Sequence, residues 1–420
     1  MNAFFKISKQ TLWQSVVKLI TTSSGFIILS AVARNYGEDG TGTFTLALTY
    51  LGFFYILSDF GFNALVVARL QEKDASLEWR KLLGTRILWS TGLIILALTL
   101  LLLLPFSTSS FGQPAGLAGF SFDFKLAVIL GSLTILFFAV NITSHSLFQA
   151  RLKYQYDIFP TILGVSLGTA VIILLANFGL PIYTLILGYV VAWLVHSLGT
   201  YLFVGRFLKN LSPIFDLKYT KQIFREVLPV AATLVLNVLY FRIDTFILAS
   251  YYSQATVGVY NMAYQFFQSV LVMPTFIMNS FYPMMLETLK LRAEGFFKQI
   301  KLAMIGLLFF SLFLSVLIYF LAPFAIGLVA SNGFKESIRS LQILSFGFPA
   351  YFLSSLFMWV MVSKKMYIPL VSIYLIGLIF NLAANLIYIP RYSYIAASWI
   401  TGFSEYLILL LQAVVLWRHR

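Results

Sequence analysis

Five ionisable residues lie inside long apolar stretches of the chain. They are Lys18, Asp59, Arg242, Asp244 and Glu405. If these stretches cross a membrane, each charge costs about 2.5–3.5 kcal/mol, so the side chains are expected to face protein or a water-filled cavity. The chemistry open to them is binding of an anion by the cations and uptake of an ion by the carboxylates.

Arg242 is the first candidate for binding an anion. It lies too far from either end of its apolar stretch to reach lipid headgroups. A guanidinium binds phosphate oxygens in a bidentate geometry, which lysine does not reproduce. Pairing of Arg242 with a carboxylate from another helix is an equal alternative. Asp244 is a poor partner, because a spacing of two residues places it on a different helical face.

Lys18 and Arg34 are the second and third candidate cations. Lys18 and Asp59 are predicted to lie at a similar depth, near the cytoplasmic ends of the first two apolar stretches. One interpretation pairs Lys18 with Asp59 in a salt bridge or lets Lys18 extend to the headgroups. The other interpretation places Lys18 and Arg242 in a cationic lumen.

The buried carboxylates are candidates for coupling to an ion gradient, because a desolvated carboxyl takes up a proton readily. These candidates are Asp59, Asp244 and Glu405, although a structural hydrogen bond explains Glu405 equally well. Amide and imidazole side chains recur at spacings of three and four, which places each set on one helical face. The candidates for a polar lumen are Asn141, His145, Asn261, Gln265, Asn381 and Asn385. The alternative is that these side chains hold membrane helices together by hydrogen bonds.

The elements that carry these residues are predicted to be membrane-spanning helices. Of the 420 residues, 60% are hydrophobic and 10% are charged, which leaves too few polar residues to cover soluble cores. Twelve apolar runs have the length of about 20 residues that crosses a bilayer. They lie near 12–34, 42–66, 84–104, 126–148, 158–178, 182–204, 227–250, 257–281, 302–322, 341–362, 367–389 and 394–416. The runs are continuously apolar, which favours helices over barrel strands.

The distribution of Lys and Arg predicts the orientation of these spans. Most of the 29 basic residues, among them Arg69, Arg80 and Arg86, fall in alternate connections, which are assigned to the cytoplasm. Both termini are therefore expected to be cytoplasmic. The formal net charge of +14 is attributed to this topology, and no nucleic-acid partner is expected.

The chain is predicted to contain two halves of six helices. Residues 1–205 and 226–420 form the halves, and a polar cytoplasmic linker at 206–225 joins them. Thr41–Phe44 matches Val257–Tyr260, which indicates an internal repeat. Because six is even, the halves share one orientation and are related by a pseudo-two-fold axis along the membrane normal. The predicted fold is an all-α integral membrane protein with twelve transmembrane helices in two bundles.

Catalytic function is not expected from the remaining residues. The chain has no cysteine and only three histidines. No P-loop, Gly-rich nucleotide fingerprint or zinc-binding spacing occurs in the sequence. We therefore predict neither a metal site nor a cofactor. Energy for transport would come from a gradient of H⁺, Na⁺ or the substrate.

Several motifs resemble the bacterial polysaccharide-biosynthesis flippases of the O-antigen type, in the superfamily that includes multidrug and toxin extruders. In the first half these motifs are Ala33-Arg34-Asn35-Tyr36-Gly37, Gly42-Thr43-Phe44 and Asp59-Phe60-Gly61-Phe62. In the second half they are Leu228-Pro229-Val230, Arg242-Ile243-Asp244 and Ile389-Pro390-Arg391-Tyr392. The resemblance runs nearly from end to end. It departs at Ser393, where the family has glycine.

This resemblance implies a two-bundle fold that alternates access. The implied substrate is an undecaprenyl-diphosphate-linked oligosaccharide, carried to the outer leaflet of the bacterial inner membrane for O-antigen, capsule or exopolysaccharide synthesis. Implied partners, besides the bilayer, are a polysaccharide polymerase and a chain-length regulator. The alternatives are a cation-coupled multidrug exporter, with Asp59, Asp244 or Glu405 exchanging the ion, and a lipid-II-type flippase. Lipid-II flippases usually have two further helices, which this length lacks.

Overall fold

The computed structural model describes residues 2–71, 75–105, 120–291, 293–330 and 333–418. Within these ranges the chain is helical and forms no β-strand, as predicted. The helices are α1 (Asn2–Asp59), α2 (Phe62–Arg69), α3 (Ala75–Leu103), α4 (Phe122–Gly131), α5 (Leu133–Ala150), α6 (Gln155–Asn177), α7 (Ile186–Val204), α8 (Leu217–Tyr251), α9 (Gln254–Leu291), α10 (Ala293–Val329), α11 (Lys335–Ser345), α12 (Phe348–Ser363) and α13 (Tyr367–Arg418). A 3₁₀ helix, Ile182–Leu185, leads into α7.

The helices are long and apolar enough to make this a multi-pass membrane protein. In the described ranges seven helical segments meet the length and composition needed to cross a bilayer. An eighth is added if α11 and α12, which bend by 42° at their junction, form one span. The predicted spans 367–389 and 394–416 both lie in α13, and the first predicted span and most of the second lie in α1. The number of twelve spans therefore stays a prediction.

Helices α1 and α13 are each interrupted by one residue with a non-helical backbone. Gly37 has φ 64° and ψ −157°, and Ser393 has φ 55° and ψ −143°. Glycine enters this region without strain, whereas a residue with a side chain pays roughly 1–3 kcal/mol. Ser393 is the position at which the sequence departs from a family glycine. The structure therefore gives that departure a physical consequence.

The chain forms two compact units that divide inside α8. Unit 1 comprises the described residues up to Val238, and unit 2 comprises those from Leu239 onward. The core of unit 1 includes Phe62, Trp79 and Phe148, all of them fully buried. These residues bring α2, α3 and α5 together at one end of the unit.

The predicted linker packs against α3 within unit 1. The backbone N–H of Ile214 donates to the carbonyl of Arg80 at 3.0 Å, and Nε of Arg80 donates to the carbonyl of Ser212 at 2.8 Å. The backbones approach so closely that a Cβ at Gly84 would lie 2.1 Å from the Ile214 carbonyl oxygen. The segment 206–225 is therefore held against helix α3 of this unit.

Candidate functional site

Arg242 projects from α8 in unit 2 and is bound by neutral groups. Its Nη2 donates to Oε1 of Gln268 on α9 at 2.7 Å. Its guanidinium also lies over the ring of Tyr264, 5.0 Å from the centroid. Among the described side chains no carboxylate forms an ion pair with Arg242 within 4.0 Å. The hydrogen bond and the ring orient the guanidinium without neutralising its charge.

Asp244 is buried and lies in a hydroxyl-rich environment. The Tyr260 hydroxyl donates to its Oδ2 at 2.5 Å, and the backbone N–H of Thr245 donates to Oδ1 at 2.6 Å. Thr401 on α13 donates to Oδ2 at 3.4 Å. Asp244 therefore links α8, α9 and α13 through neutral donors, and it forms no ion pair with Arg242 within 4.0 Å.

Glu405 is the second buried carboxylate of unit 2. The Tyr240 hydroxyl donates to its Oε2 at 2.8 Å, and the Ser354 hydroxyl donates to Oε1. These bonds connect α8, α12 and α13. The arrangement is compatible with both sequence interpretations, because a hydroxyl can donate to the carboxylate and can accept from its protonated form.

The amides of unit 2 lie mainly in contacts between helices. Nδ2 of Asn381 donates to Oγ of Ser404 at 3.0 Å, and Nδ2 of Asn385 donates to Oδ1 of Asn381 at 3.0 Å. Both asparagines are buried, and Asn381 joins the two parts of α13 through Ser404. Asn261 is also buried and accepts from Oγ1 of Thr245 at 3.3 Å. Gln265 is half-buried on α9.

Asp59 in unit 1 pairs with an arginine that the sequence analysis placed in a cytoplasmic connection. Nη2 of Arg86 lies 3.0 Å from Oδ1 of Asp59 and 3.0 Å from Oδ1 of Asn63. Arg86 is fully buried, and its guanidinium lies 5.4 Å from the centroid of the Phe62 ring. The assignment of Arg86 to a loop was wrong, because α3 begins at Ala75 and carries Arg86 into the packed interior.

The other two candidate cations lie on the surface of unit 1. Lys18 is exposed, and the predicted salt bridge between Lys18 and Asp59 is not formed. Arg34 is also exposed and precedes the break at Gly37 by one helical turn. These two residues are therefore not brought together with Arg242 within one compact unit.

A polar cluster in unit 1 joins His145 to two residues, Asp157 and His196, that the sequence analysis did not single out. Asp157 on α6 contacts His145 on α5 and His196 on α7, with N···O distances of 3.0 and 3.1 Å. Nearby, Asn141 is buried and donates to Oγ1 of Thr200 at 3.4 Å. Asp157 was missed because the predicted span begins at 158, whereas the helix begins at Gln155. No spacing in the sequence indicated the contact, because Asp157 and its two histidines lie on three different helices.

Comparisons with known proteins add a family and a fold to this geometry. The sequence model of a family described as "Polysaccharide biosynthesis protein" matches residues 7–289. A search of curated proteins gave no significant match.

Three solved structures illustrate the fold. The lipid II flippase MurJ in an inward closed conformation has a TM-score of 0.73 at 15% identity, over 97% of this chain and 87% of that chain. An inward-facing multidrug resistance MATE family transporter of the MOP superfamily has a TM-score of 0.70 at 12% identity, over 96% and 97%. A MOP superfamily transporter from Pyrococcus furiosus, whose reverse polarity of the binding pocket suggests a different function, has a TM-score of 0.53 at 14% identity, over 98% and 95%. At these identities the similarity shows the fold alone.

Proposed function

The chain belongs to the polysaccharide biosynthesis protein family, and on this premise we propose that it is a flippase for a lipid-linked oligosaccharide. The proposed substrate is an undecaprenyl-diphosphate-linked oligosaccharide. The protein moves it from the cytoplasmic to the outer leaflet of the bacterial inner membrane. The product then serves surface polysaccharide synthesis, with a polymerase and a chain-length regulator acting after it.

The observation that carries this proposal is that the Arg242 guanidinium contacts only neutral side chains among those described. A diphosphate cannot enter hydrocarbon unless its charge is compensated. Arg242 presents a guanidinium that is oriented by Gln268 and Tyr264 and has no described carboxylate within 4.0 Å. Such a group can bind two phosphate oxygens at once. Lys18 and Arg34 are proposed as weaker, accessory cations.

The proposed mechanism is alternating access by two six-helix bundles. The proposal also includes twelve membrane spans, a pseudo-two-fold axis along the membrane normal and cytoplasmic termini. Sharp backbone breaks at Gly37 and Ser393 support the count, because each divides a long helix at a boundary between two predicted spans. The half-buried Gln265 and the amides near it are proposed to meet sugar hydroxyls.

Two observations support a cation-coupled multidrug exporter as the second candidate. Asp244 and Glu405 are buried, and neither forms an ion pair within 4.0 Å with a described cation. A carboxylate held only by neutral donors can exchange a proton or Na⁺ with a cationic drug. The fold is also shared with a multidrug transporter and with a lipid II flippase.

The test is complementation of a bacterial strain that lacks its own flippase for a defined surface glycan. Wild-type protein is expected to restore the glycan, and Arg242→Lys is expected to reduce it at least ten-fold at unchanged protein level. Lys298→Gln, which removes an exposed charge from the same unit, is the matched control and should leave the glycan unchanged.

Parallel assays separate the alternatives. Drug resistance without glycan would favour the exporter, and rescue of a strain depleted of its lipid II flippase would favour that substrate.

A further inference from the structure

Three helices of unit 1 bring two histidines to one carboxylate. Nδ1 of His145 lies 3.0 Å from Oδ2 of Asp157, and Nε2 of His196 lies 3.1 Å from Oδ1. The side chains of Asp157 and His196 are 18% and 13% exposed, whereas that of His145 is 31% exposed. The carboxylate is therefore shielded, and the imidazole of His145 is the most exposed of the three side chains.

Close packing of α6 against α7 fixes the separation of Asp157 and His196. A Cβ at Gly168 would lie 2.5 Å from the carbonyl oxygen of Gly188, and one at Gly164 would lie 2.5 Å from that of Ala192. Small residues at these positions let the two backbones approach closely. The Trp193 ring also stacks on His196, with centroids 5.6 Å apart and planes at 16°.

The hydrogen bonds determine which nitrogen of each ring carries a proton. An ionised carboxylate only accepts, so His145 must present Nδ1–H and His196 must present Nε2–H to Asp157. Thr161 agrees with this assignment. Its hydroxyl donates to the Asp157 carbonyl at 2.7 Å, which leaves Oγ1 to accept from Nε2–H of His196 at 2.8 Å. The second nitrogen of each ring has no hydrogen bond to a described residue and is the position that would take a proton.

The charges around this cluster leave one negative charge uncompensated. With both imidazoles neutral, the cluster carries the charge of Asp157 alone. Asp59 on α1, which interacts electrostatically with His145, is already paired with Arg86 on α3. The other ionisable groups around the cluster are Asp59, Arg86, Tyr154 and Tyr55. Tyr55 contacts Trp193, the residue that stacks on His196. One added proton would bring the cluster to zero charge, which is the favoured state inside a membrane.

We propose that His145, Asp157 and His196 form a site for a single proton and that its occupancy is coupled to transport. The proton binds to the free nitrogen of either imidazole, and the carboxylate between them stabilises the resulting imidazolium. Na⁺ fits less well, because both ring nitrogens that face the carboxylate present N–H donors rather than lone pairs. In the described part of the chain no group of His, Asp and Glu residues has the geometry to hold a metal ion.

The binding part of the proposal is tested without a transport assay. Full-length protein with His419→Gln is labelled with ¹⁵N-histidine, placed in lipid nanodiscs and titrated from pH 8 to pH 5 by NMR. One of the two remaining imidazoles should gain a proton, and Asp157→Asn should lower that proton affinity at least ten-fold. Equal affinities in the two proteins would overturn the proposal, as would displacement of the proton by NaCl at about 0.3 M. If Asp157→Asn fails to fold, His196→Gln supplies a second comparison through the signal of His145.

The coupling part rests on the proposed function and needs a second assay. Inverted membrane vesicles that contain the protein and a lipid-linked oligosaccharide are given either a pH gradient or a Na⁺ gradient. The pH gradient should speed translocation several-fold in the His419→Gln protein and have no effect when His145→Gln and His196→Gln are combined. Translocation that responds only to Na⁺, or to neither gradient, would refute the coupling. Failure of the wild-type chain to move the oligosaccharide at all would instead refute the proposed function, while the NMR titration would still decide whether the proton site exists.

Discussion

Replacing Gln268 by glutamate tests whether the charge of Arg242 is needed. Oε1 of Gln268 accepts from Nη2 of Arg242 at 2.7 Å, and glutamate has nearly the same shape. The variant would therefore place a carboxylate against the guanidinium with little change in packing. It converts a neutral hydrogen bond into an ion pair and removes the charge that we propose for the diphosphate.

The size of the effect follows from Coulomb's law. Two unit charges 4 Å apart interact by about 4 kcal/mol at an effective dielectric constant of about 20. Desolvation of the new carboxylate opposes part of this stabilisation. If the new ion pair weakens binding of the diphosphate by roughly a third of this energy, about 1.4 kcal/mol, the flipping rate at limiting substrate concentration falls about ten-fold. Gln268→Glu is therefore expected to reduce flipping by a factor of ten or more.

The assay is the initial rate at which the surface glycan appears after induced expression in the complementation strain. Each rate is normalised to the amount of protein in the membrane and is accompanied by a thermal unfolding curve. Gln268→Leu is the matched control, because it removes the same hydrogen bond without adding a charge. It should reduce the rate much less than Gln268→Glu does.

Two results would refute this reasoning. A wild-type rate in stable Gln268→Glu protein would mean that the substrate does not use the charge of Arg242. Equal losses in Gln268→Glu and Gln268→Leu would mean that the hydrogen bond matters and the charge does not.

Three further predictions concern stability and are measured by thermal unfolding in one detergent. Ser393→Gly should raise the melting temperature, because it relieves roughly 1–3 kcal/mol of backbone strain and costs about 0.5–1 kcal/mol in added entropy of the unfolded chain. A lower melting temperature would show that the backbone at Ser393 is not strained. Gly84→Ala should lower the free energy of unfolding by about 1–3 kcal/mol, because the added Cβ would clash with the Ile214 carbonyl oxygen. Unchanged stability would contradict this close contact. The Lys81 ammonium and the Tyr219 N–H lower the pKa of Asp216, so this carboxylate stabilises the fold above its unfolded pKa near 3.9 and loses that effect at lower pH. Asp216→Asn should flatten the acid loss of stability, and an unchanged slope would contradict it.

Hydropathy and charge predicted the membrane class but not the positions of buried polar groups. The membrane thickness sets the length of an apolar run, whereas a helix continues past the hydrocarbon as long as its residues pack. Arg86 was counted with the connection before the third span, yet α3 begins at Ala75 and buries Arg86. Likewise α6 begins at Gln155 and includes Asp157, which hydropathy assigned to a connection. Polar residues near the predicted ends of spans were therefore misplaced.

The candidate cations show a second limit of the sequence. Arg242, Lys18 and Arg34 were ranked by depth, and depth alone does not reveal partners. Arg242 contacts Gln268 and Tyr264, which share one face of α9, but nothing in the sequence shows that this face meets Arg242. The asparagine pair at 381 and 385 was recognised as one face, but the choice between a lumen and a helix contact depended on Ser404. Spacing predicted that the two asparagines share a helical face, and the packed structure shows which residue that face contacts.

The two proposals place a proton-binding cluster in unit 1 and a phosphate-binding cation in unit 2. In unit 1 the guanidinium of Arg86 is neutralised by Asp59, and the surplus negative charge lies at Asp157 between two imidazoles. In unit 2 the guanidinium of Arg242 is hydrogen-bonded by the neutral Gln268, while Asp244 is held by hydroxyl and amide donors. A receptor for a diphosphate and a receptor for a proton would neutralise each other if they shared one cluster. Because the two proposed sites lie in different units, Gln268→Glu should reduce flipping about ten-fold and leave proton binding at the cluster of His145, Asp157 and His196 unchanged.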